Sequence, residues 1–292
     1  MDTISAWQMV NKGQSFKLTK RPLPSLEEGD ALIKVSGCGV CHTDLSFWFY
    51  DVPTRHDLPL TLGHEISGIV LEGPSDLSGK PVIIPAVLPC GDCDLCRQNR
   101  SNICQHQKMP GNDFHGGFAS HVIVPARFLI EVPEEPLQNH TLAELAVIAD
   151  AVATPYQAMI KSGIRAGDFA VVIGVGGVGI YAVQLAKVSG AYVLALDIAQ
   201  EKLDQLEQVG ISQTLNTTGM NIRDIKKHVK EICGKMGAPA NQWKIFEMSG
   251  TKAGQELAYA LLGTAGTLSI VGFTMEKLEI RLSNLMAFDA NV

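Results

Sequence analysis

This 292-residue sequence lacks an excess of positive charge: 24 Lys and Arg stand against 30 Asp and Glu, a formal net charge of −6. A broad basic face for nucleic acid is therefore not expected. It lacks long hydrophobic runs, and no uncharged apolar stretch reaches the roughly 20 residues that a membrane-spanning helix needs. The opening residues, Met1-Asp2-Thr3-Ile4-Ser5-Ala6-Trp7, have neither the basic nor the apolar region of a secretion signal. Internal repeats and low-complexity tracts are absent too. The expectation is a cytoplasmic protein with no membrane or nucleic-acid partner. What is present is a globular composition, 46% hydrophobic and 18% charged, in a chain long enough for two domains with their own cores.

Cysteine is the informative residue. There are seven, an odd number, and six of them cluster in the first half of the chain. That suits metal binding in a reducing compartment better than a disulfide framework. Cys90-Gly91-Asp92-Cys93-Asp94-Leu95-Cys96 is followed by Cys104. Thiolates at this spacing can converge on one tetrahedral soft cation, so the loop reads as a closed structural zinc site, with Arg97 and Arg100 placed to soften its negative charge. Similar spacing serves iron–sulfur clusters, but there the last cysteine is commonly followed by proline, and Cys104 is followed by Gln105.

Three further ligand types lie outside this loop. Cys41 stands in Gly39-Val40-Cys41-His42-Thr43-Asp44, His64 in Gly63-His64-Glu65, and Asp150 far along the chain in Ala149-Asp150-Ala151. One sulfur, one imidazole and one carboxylate are the three protein ligands of an open zinc site, and their two negative charges balance the dication. Glu65 is an alternative ligand. Thr43 offers a hydroxyl beside the first ligand to pass a proton outward, and Asp44 is placed to orient His64. Taken singly, a His or Cys beside glycine is more often structural than catalytic.

The texture changes after about residue 140. The first half is rich in Gly and Pro, with short apolar runs at 31–35, 66–71, 82–86 and 119–124 that read as strands. Leu142–Ile148 reads as a helix, and Thr154-Pro155-Tyr156 opens another. From residue 168, strands at 169–173, 192–196, 243–247 and 267–271 alternate with helices at 177–189, 200–209, 221–233 and 252–262. This alternation predicts parallel crossovers and a doubly wound sheet. The domains are expected at 1–153 and 154–292, and a six-stranded sheet would need one more strand beyond Val292. Gly174-Val175-Gly176-Gly177-Val178-Gly179 follows a strand and opens a helix, the context that gives this glycine pattern its meaning as a dinucleotide turn. Asp197 ends the next strand, where a carboxylate accepts ribose hydroxyls and repels a 2′-phosphate, favouring NAD over NADP.

Together, Gly63-His64-Glu65-Ile66-Ser67-Gly68, the four-cysteine lobe and Gly174–Gly179 resemble, in order along the chain, the medium-chain zinc alcohol dehydrogenase family. The resemblance implies a GroES-like, strand-rich catalytic domain, then a Rossmann domain, with the active site in the cleft between them. It implies an NAD-dependent enzyme with one catalytic and one structural zinc, and a homo-oligomer that pairs strands at the Rossmann edge, for which Lys277–Leu282 is a plausible strand. By resemblance Cys41, His64 and Asp150 are the catalytic metal ligands. His42 is a pyrophosphate contact, Thr154 and Val178 flank the nicotinamide, and Lys202 lies near the adenosine ribose. Val271 and Gly272, where the last strand ends, complete the cofactor candidates.

Some relatives carry a His proton carrier five residues after the first ligand, where this chain has Ser46. Other strings resemble members acting on alicyclic hydroxyacyl-CoA thioesters, which implies such a small-molecule substrate. Phe47-Trp48-Phe49-Tyr50 is then a candidate ring wall, and Arg55, Lys108 and Arg127 are candidates for CoA phosphates. A simple alcohol or polyol substrate, conjugate reduction of an enoyl group, and a non-catalytic binding protein remain as alternatives.

Overall fold

The computed structural model describes residues 3–292, which divide into two compact units that meet in the chain at Ala151 and Val152. The first unit opens with an antiparallel ribbon of β1 (Thr3–Gln8) and β2 (Lys17–Pro22). Then come β3 (Asp30–Gly39), helix α1 (His42–Phe49), β4 (Glu65–Glu72), β5 (Pro81–Ile84), the single turn α2 (Asp94–Arg97), β6 (His121–Pro125), β7 (Ile130–Glu131) and α3 (Glu134–Leu137). The five strands from β3 onward form one antiparallel sheet in the order β6-β3-β4-β5-β7. Its core is built from Ala31, Ile33, Ile66, Val70, Val82, Ile84, Val122 and Val124, the apolar runs read from the sequence. The register of β3 against β4 slips between Val35 and Gly37. A bulge there bends the strand just before it delivers Cys41.

Two expectations for this unit are corrected. The helix expected at 142–148 is a 3-10 segment, Glu144–Ala149. Thr141 starts it by exchanging hydrogen bonds with Glu144, and Asp150, at φ −138° and ψ −60°, ends it after six residues. A run so short gains little from α-helical bonds. The aromatic run at 47–50 forms no wall, because a helix fans successive side chains about 100° apart. Phe47 is buried with Met9, Leu60 and Leu62, Trp48 leans on Phe16, and Phe49 and Tyr50 are more than half exposed.

The second unit is the alternating half. It contains α4 (Ala153–Ser162), β8 (Phe169–Ile173), α5 (Gly179–Val188), β9 (Tyr192–Asp197), α6 (Gln200–Gln205), β10 (Thr214–Asn216), α7 (Ile222–Met236), β11 (Lys244–Glu247), α8 (Lys252–Leu261), β12 (Thr267–Ile270) and α9 (Ser283–Phe288). All five strands are parallel, in the order β10-β9-β8-β11-β12. This is the doubly wound order 3-2-1-4-5, which reverses direction between β8 and β11. β8 shows why the sheet needs helices on both faces. Phe169, Val171 and Ile173 join one core with Leu194, Val229 and Ile245, while Ala170 and Val172 join the opposite core with Val183, Ala195 and Phe246. Period-two alternation sends every side chain of the strand into apolar packing.

Lys277–Leu282 is not a strand within the chain. A segment that pairs only across a subunit boundary has no ladder partner in its own chain. After α9, Asn291 bridges Thr267 in the parallel sense, beside β12. Among the described residues no helix is long and apolar enough to cross a membrane.

Phe246 is fully buried in the second unit, so Phe246→Ala is expected to cost about 3–5 kcal/mol in a urea-unfolding series. Val188→Ala, at an 85% exposed position, should stay within about 0.5 kcal/mol of the parent.

Candidate functional site

Three stretches of the first unit bring Cys41, His64 and Asp150 together. Their ligand atoms lie within 4.8 Å of one another. Cys41 Sγ is 3.6 Å from Asp150 Oδ2, and His64 Nε2 is 3.4 Å from the same oxygen. The edges of a zinc tetrahedron with N, O and S ligands are about 3.4–3.8 Å, so the side chains are already at coordination spacing. His64 is 1% exposed and neither ring nitrogen makes a well-aligned hydrogen bond, although Nδ1 comes within 3.5 Å of Asp44 Oδ1. Burial opposes protonation of this ring. Asp150, Asp44 and Cys41 overcome it and push the pKa up to about 12. A donor set of thiolate, imidazole and carboxylate at this spacing fits zinc.

Asp44 builds this arrangement. Cys41 caps the N-terminus of α1, and its N–H donates to Asp44 Oδ2 at 2.9 Å. Gly63 N–H donates to Asp44 Oδ1 at 3.0 Å, which anchors the residue next to His64. Thr43 Oγ1 lies 3.7 Å from Cys41 Sγ, at the edge of the ligand group. Glu65 does not join that group. Its Oε1 accepts the Ala151 N–H at 2.9 Å, and burial first, then the Asp150 charge, raises its pKa. Ser46 is also turned away. Its hydroxyl donates to the His42 carbonyl one turn back at 3.0 Å, so the proton is held inside α1 and no relay role is assigned to it.

The second metal centre is a tetrahedron of sulfur. Four of its edges are 3.5 Å (Cys93–Cys96), 3.7 Å (Cys93–Cys104), 3.5 Å (Cys90–Cys104) and 3.9 Å (Cys90–Cys96). Four thiolates on one zinc give edges of about 3.8 Å. Cys104 Sγ also accepts the backbone N–H groups of Cys90 and His106 at 3.4 and 3.3 Å. Crowding separates the acidities of Cys93 and Cys90. The Cys96 backbone N–H pulls Cys93 down to about 6, and Asp92 pushes Cys90 up to about 12. The chain therefore carries a structural zinc site of four cysteines and a catalytic zinc site of one cysteine, one histidine and one aspartate.

In the second unit, Gly174 turns the chain at φ +86° after β8. A Cβ on Gly179 would sit 1.9 Å from the Gly174 carbonyl oxygen, so α5 packs on the turn only without a side chain there. At Gly176 and Gly177 a Cβ would touch nothing within 4 Å, leaving bare backbone for an anion. Asp197 has a part that the sequence did not disclose. Oδ2 accepts the Val175 N–H at 2.8 Å and Oδ1 the Ala199 N–H at 2.9 Å, so it clamps the turn. Each oxygen keeps a lone pair for a ribose hydroxyl.

The remaining candidates divide between the two units. Val178 precedes α5, and Thr154 lies in the first turn of α4. Lys202 is exposed on α6, and His42 lies on α1 with its ring stacked on Tyr50 at 5.7 Å. Val271 and Gly272 N–H groups donate to the Glu247 carbonyl at 2.9 and 3.0 Å. Of the basic residues, Arg55 is paired with Asp113 at 3.2 Å. Lys108 and Arg127 line a cleft of about 490 Å³ in which Glu27, Asp30, Asp92 and Asp113 outnumber them, a poor setting for phosphates. Sequence reasoning passed over Glu247, a wholly buried acid at the end of a buried strand, and that placement was its signal.

Comparison with known proteins agrees with this geometry. Residues 27–134 match the model of the alcohol dehydrogenase GroES-like domain, and residues 177–292 match that of zinc-binding dehydrogenases. Two alcohol dehydrogenases of Geobacillus stearothermophilus are 34% and 32% identical over 262 and 265 residues, each match covering 88% of this chain and 74% of the relative. The crystal structure of an alcohol dehydrogenase from Aeropyrum pernix superposes with a TM-score of 0.83 at 30% identity, over 98% of this chain and 83% of that one. A zinc-binding dehydrogenase from Sinorhizobium meliloti, solved with NADP bound, gives a TM-score of 0.87 at 26% identity, over 100% of this chain and 83% of that one.

Elemental analysis of the purified protein should find about two zinc ions per chain. Cys41→Ala should keep about one and remain folded. Cys93→Ala should also keep about one but lose solubility or thermal stability, because the short lobe has no apolar core to replace its metal.

Proposed function

The chain belongs to the zinc-dependent alcohol dehydrogenase family, and from that premise we propose that it oxidises an alicyclic secondary alcohol, carried as a CoA thioester, to the ketone with NAD as hydride acceptor. One observation carries the reading. Cys41, His64 and Asp150 come from three distant stretches and meet at metal-ligand spacing, with a hydroxyl beside them.

When bound, zinc supplies Lewis acidity that lowers the pKa of an alcohol, and NAD supplies the acceptor for its hydride. The chain's own residues do the rest. Cys41 and Asp150 bring two negative charges, enough to neutralise a dication and leave the substrate oxygen as the group that responds to it. Asp150 is a harder ligand than the Cys many relatives carry there, which favours a more electrophilic metal. Thr43 accepts the hydrogen bond of the alcohol hydroxyl and, as it takes that proton, gives up its own outward to water. Asp44 holds His64 and Cys41 in place from behind. In the second unit, the backbone at Gly176 and Gly177 takes the pyrophosphate and Asp197 takes the adenosine ribose, which favours NAD over NADP.

The substrate class rests on resemblance. Trp7–Val10, Gly37–Leu45, Gln107–Asn112, Ala149–Val152, Trp243–Glu247 and Met286–Ala290 look like 6-hydroxycyclohex-1-ene-1-carbonyl-CoA dehydrogenase, an enzyme of anaerobic benzoyl-CoA degradation. The proposed reaction is oxidation of that ring alcohol to the 6-oxo product.

Turnover with NAD should favour the cyclic hydroxyacyl-CoA over the free cyclic alcohol by about tenfold or more in kcat/KM. Equal values would remove the thioester from the proposal and leave a simple alcohol dehydrogenase. Thr43→Val should lower kcat by about a hundredfold, the scale of a lost proton-transfer group. Asp197→Ala should raise the KM for NAD and narrow the NAD-to-NADP preference; an unchanged ratio would show that the carboxylate does not read the ribose.

A further inference from the structure

Glu247 closes β11 beside Ile173, the last residue of β8, at the point where the strand order of the sheet reverses. Its side chain is wholly buried, yet nothing in the chemistry described above uses it. Oε1 accepts the Ser249 N–H at 2.8 Å and a short hydrogen bond from the Ser249 hydroxyl. The Glu247 carbonyl takes the Val271 and Gly272 N–H groups. Oε2 makes no well-aligned hydrogen bond among the described residues, although the carboxyl also draws on the Gly250 backbone N–H.

The surroundings are cut to fit this carboxyl. A Cβ on Gly254 would lie 2.8 Å from Oε1, and one on Gly272 would lie 2.8 Å from Oε2, so two separate segments make room for it. Ser249 in turn touches the nucleotide turn. A Cβ on Gly174 would come within 2.6 Å of the Ser249 Cα. The Ser249 hydroxyl also lies 2.9 Å from Thr251 Oγ1, which caps α8 through the Gly254 N–H at 3.0 Å. Glu247, through its carboxyl on Ser249 and its main-chain carbonyl on Val271 and Gly272, therefore connects the ends of β11 and β12, the start of α8 and the glycine turn after β8.

We propose that Glu247 is a positioning residue for the dinucleotide site, holding Ser249 against Gly174 so that the turn keeps the shape that receives the pyrophosphate. The inference rests on the dinucleotide reading given above. An acceptor is what Ser249 needs; a full charge is not. Burial raises the pKa of this carboxyl, and the Ser249 and Gly250 donors oppose the rise. An apolar replacement would leave the Ser249 N–H without its partner, and the turn would relax to find another.

The test is equilibrium binding of NAD to the full chain, followed by calorimetry and independent of turnover. Glu247→Gln keeps the acceptor and should bind NAD within about threefold of the parent. Glu247→Met keeps the volume and removes the acceptor, and should weaken NAD by about tenfold, or about 1.4 kcal/mol, with the zinc content unchanged. Glu247→Asp withdraws the acceptor by one methylene and should weaken NAD by at least about threefold, so a Met variant that fails to fold leaves a comparison standing. Parent-like affinity in a folded Met or Asp variant, even with a lowered melting temperature, would show a role in stability alone and overturn the inference. Equal losses in Gln and Met would overturn it as well. A parent protein that binds no NAD would sink the cofactor reading first and this inference with it.

Discussion

The catalytic centre depends on one buried carboxylate that touches no substrate. Asp44 takes the Cys41 N–H on one oxygen and the Gly63 N–H on the other, and so pins together two chain segments that would otherwise be free to part. Metal coordination demands placement to a few tenths of an ångström, while a turn at the end of a strand can wander much further. The cap of α1 and the residue that leads into β4 both converge on this acid. Its 3% exposure keeps water from competing for those bonds, which makes each of them stronger than it would be at the surface.

Much of the second unit is legible in the sequence because its signals are strong and local. Phe169–Ile173 reads as a strand with its observed limits, since five apolar residues between a turn and a glycine run admit few alternatives. β10 does not announce itself. It has three half-buried residues, Thr214–Asn216, and pairs only along one side, so it carries no pattern of its own. The stretch at 142–148 has the texture of a helix, but its core at 144–149 adopts the tighter 3-10 form, because its length is set by where Asp150 must be delivered. Propensity cannot report a constraint imposed by a distant partner.

The site divides along the same line. Cysteine spacing names the sulfur tetrahedron, since all four ligands, from Cys90 to Cys104, belong to one loop that closes on itself. The convergence of Cys41, His64 and Asp150 is suggested only by chemistry and by resemblance; no spacing rule links residues 41 and 150. Ser46 and Glu65 look available in the sequence and are committed elsewhere, one to its own helix and one to the Ala151 N–H. That Asp197 clamps the turn is visible only once its two backbone donors are located.

The ligands for both metals precede Val152, and the glycine turn with its carboxylates follows it. Among the described residues no ligand of either zinc site lies in the glycine turn, although His42, the pyrophosphate candidate, sits beside Cys41. A recombination event at that junction would therefore exchange the turn while leaving both ligand sets whole. A lineage built this way can try new coenzyme halves on an old metal half, and inherit working parts each time.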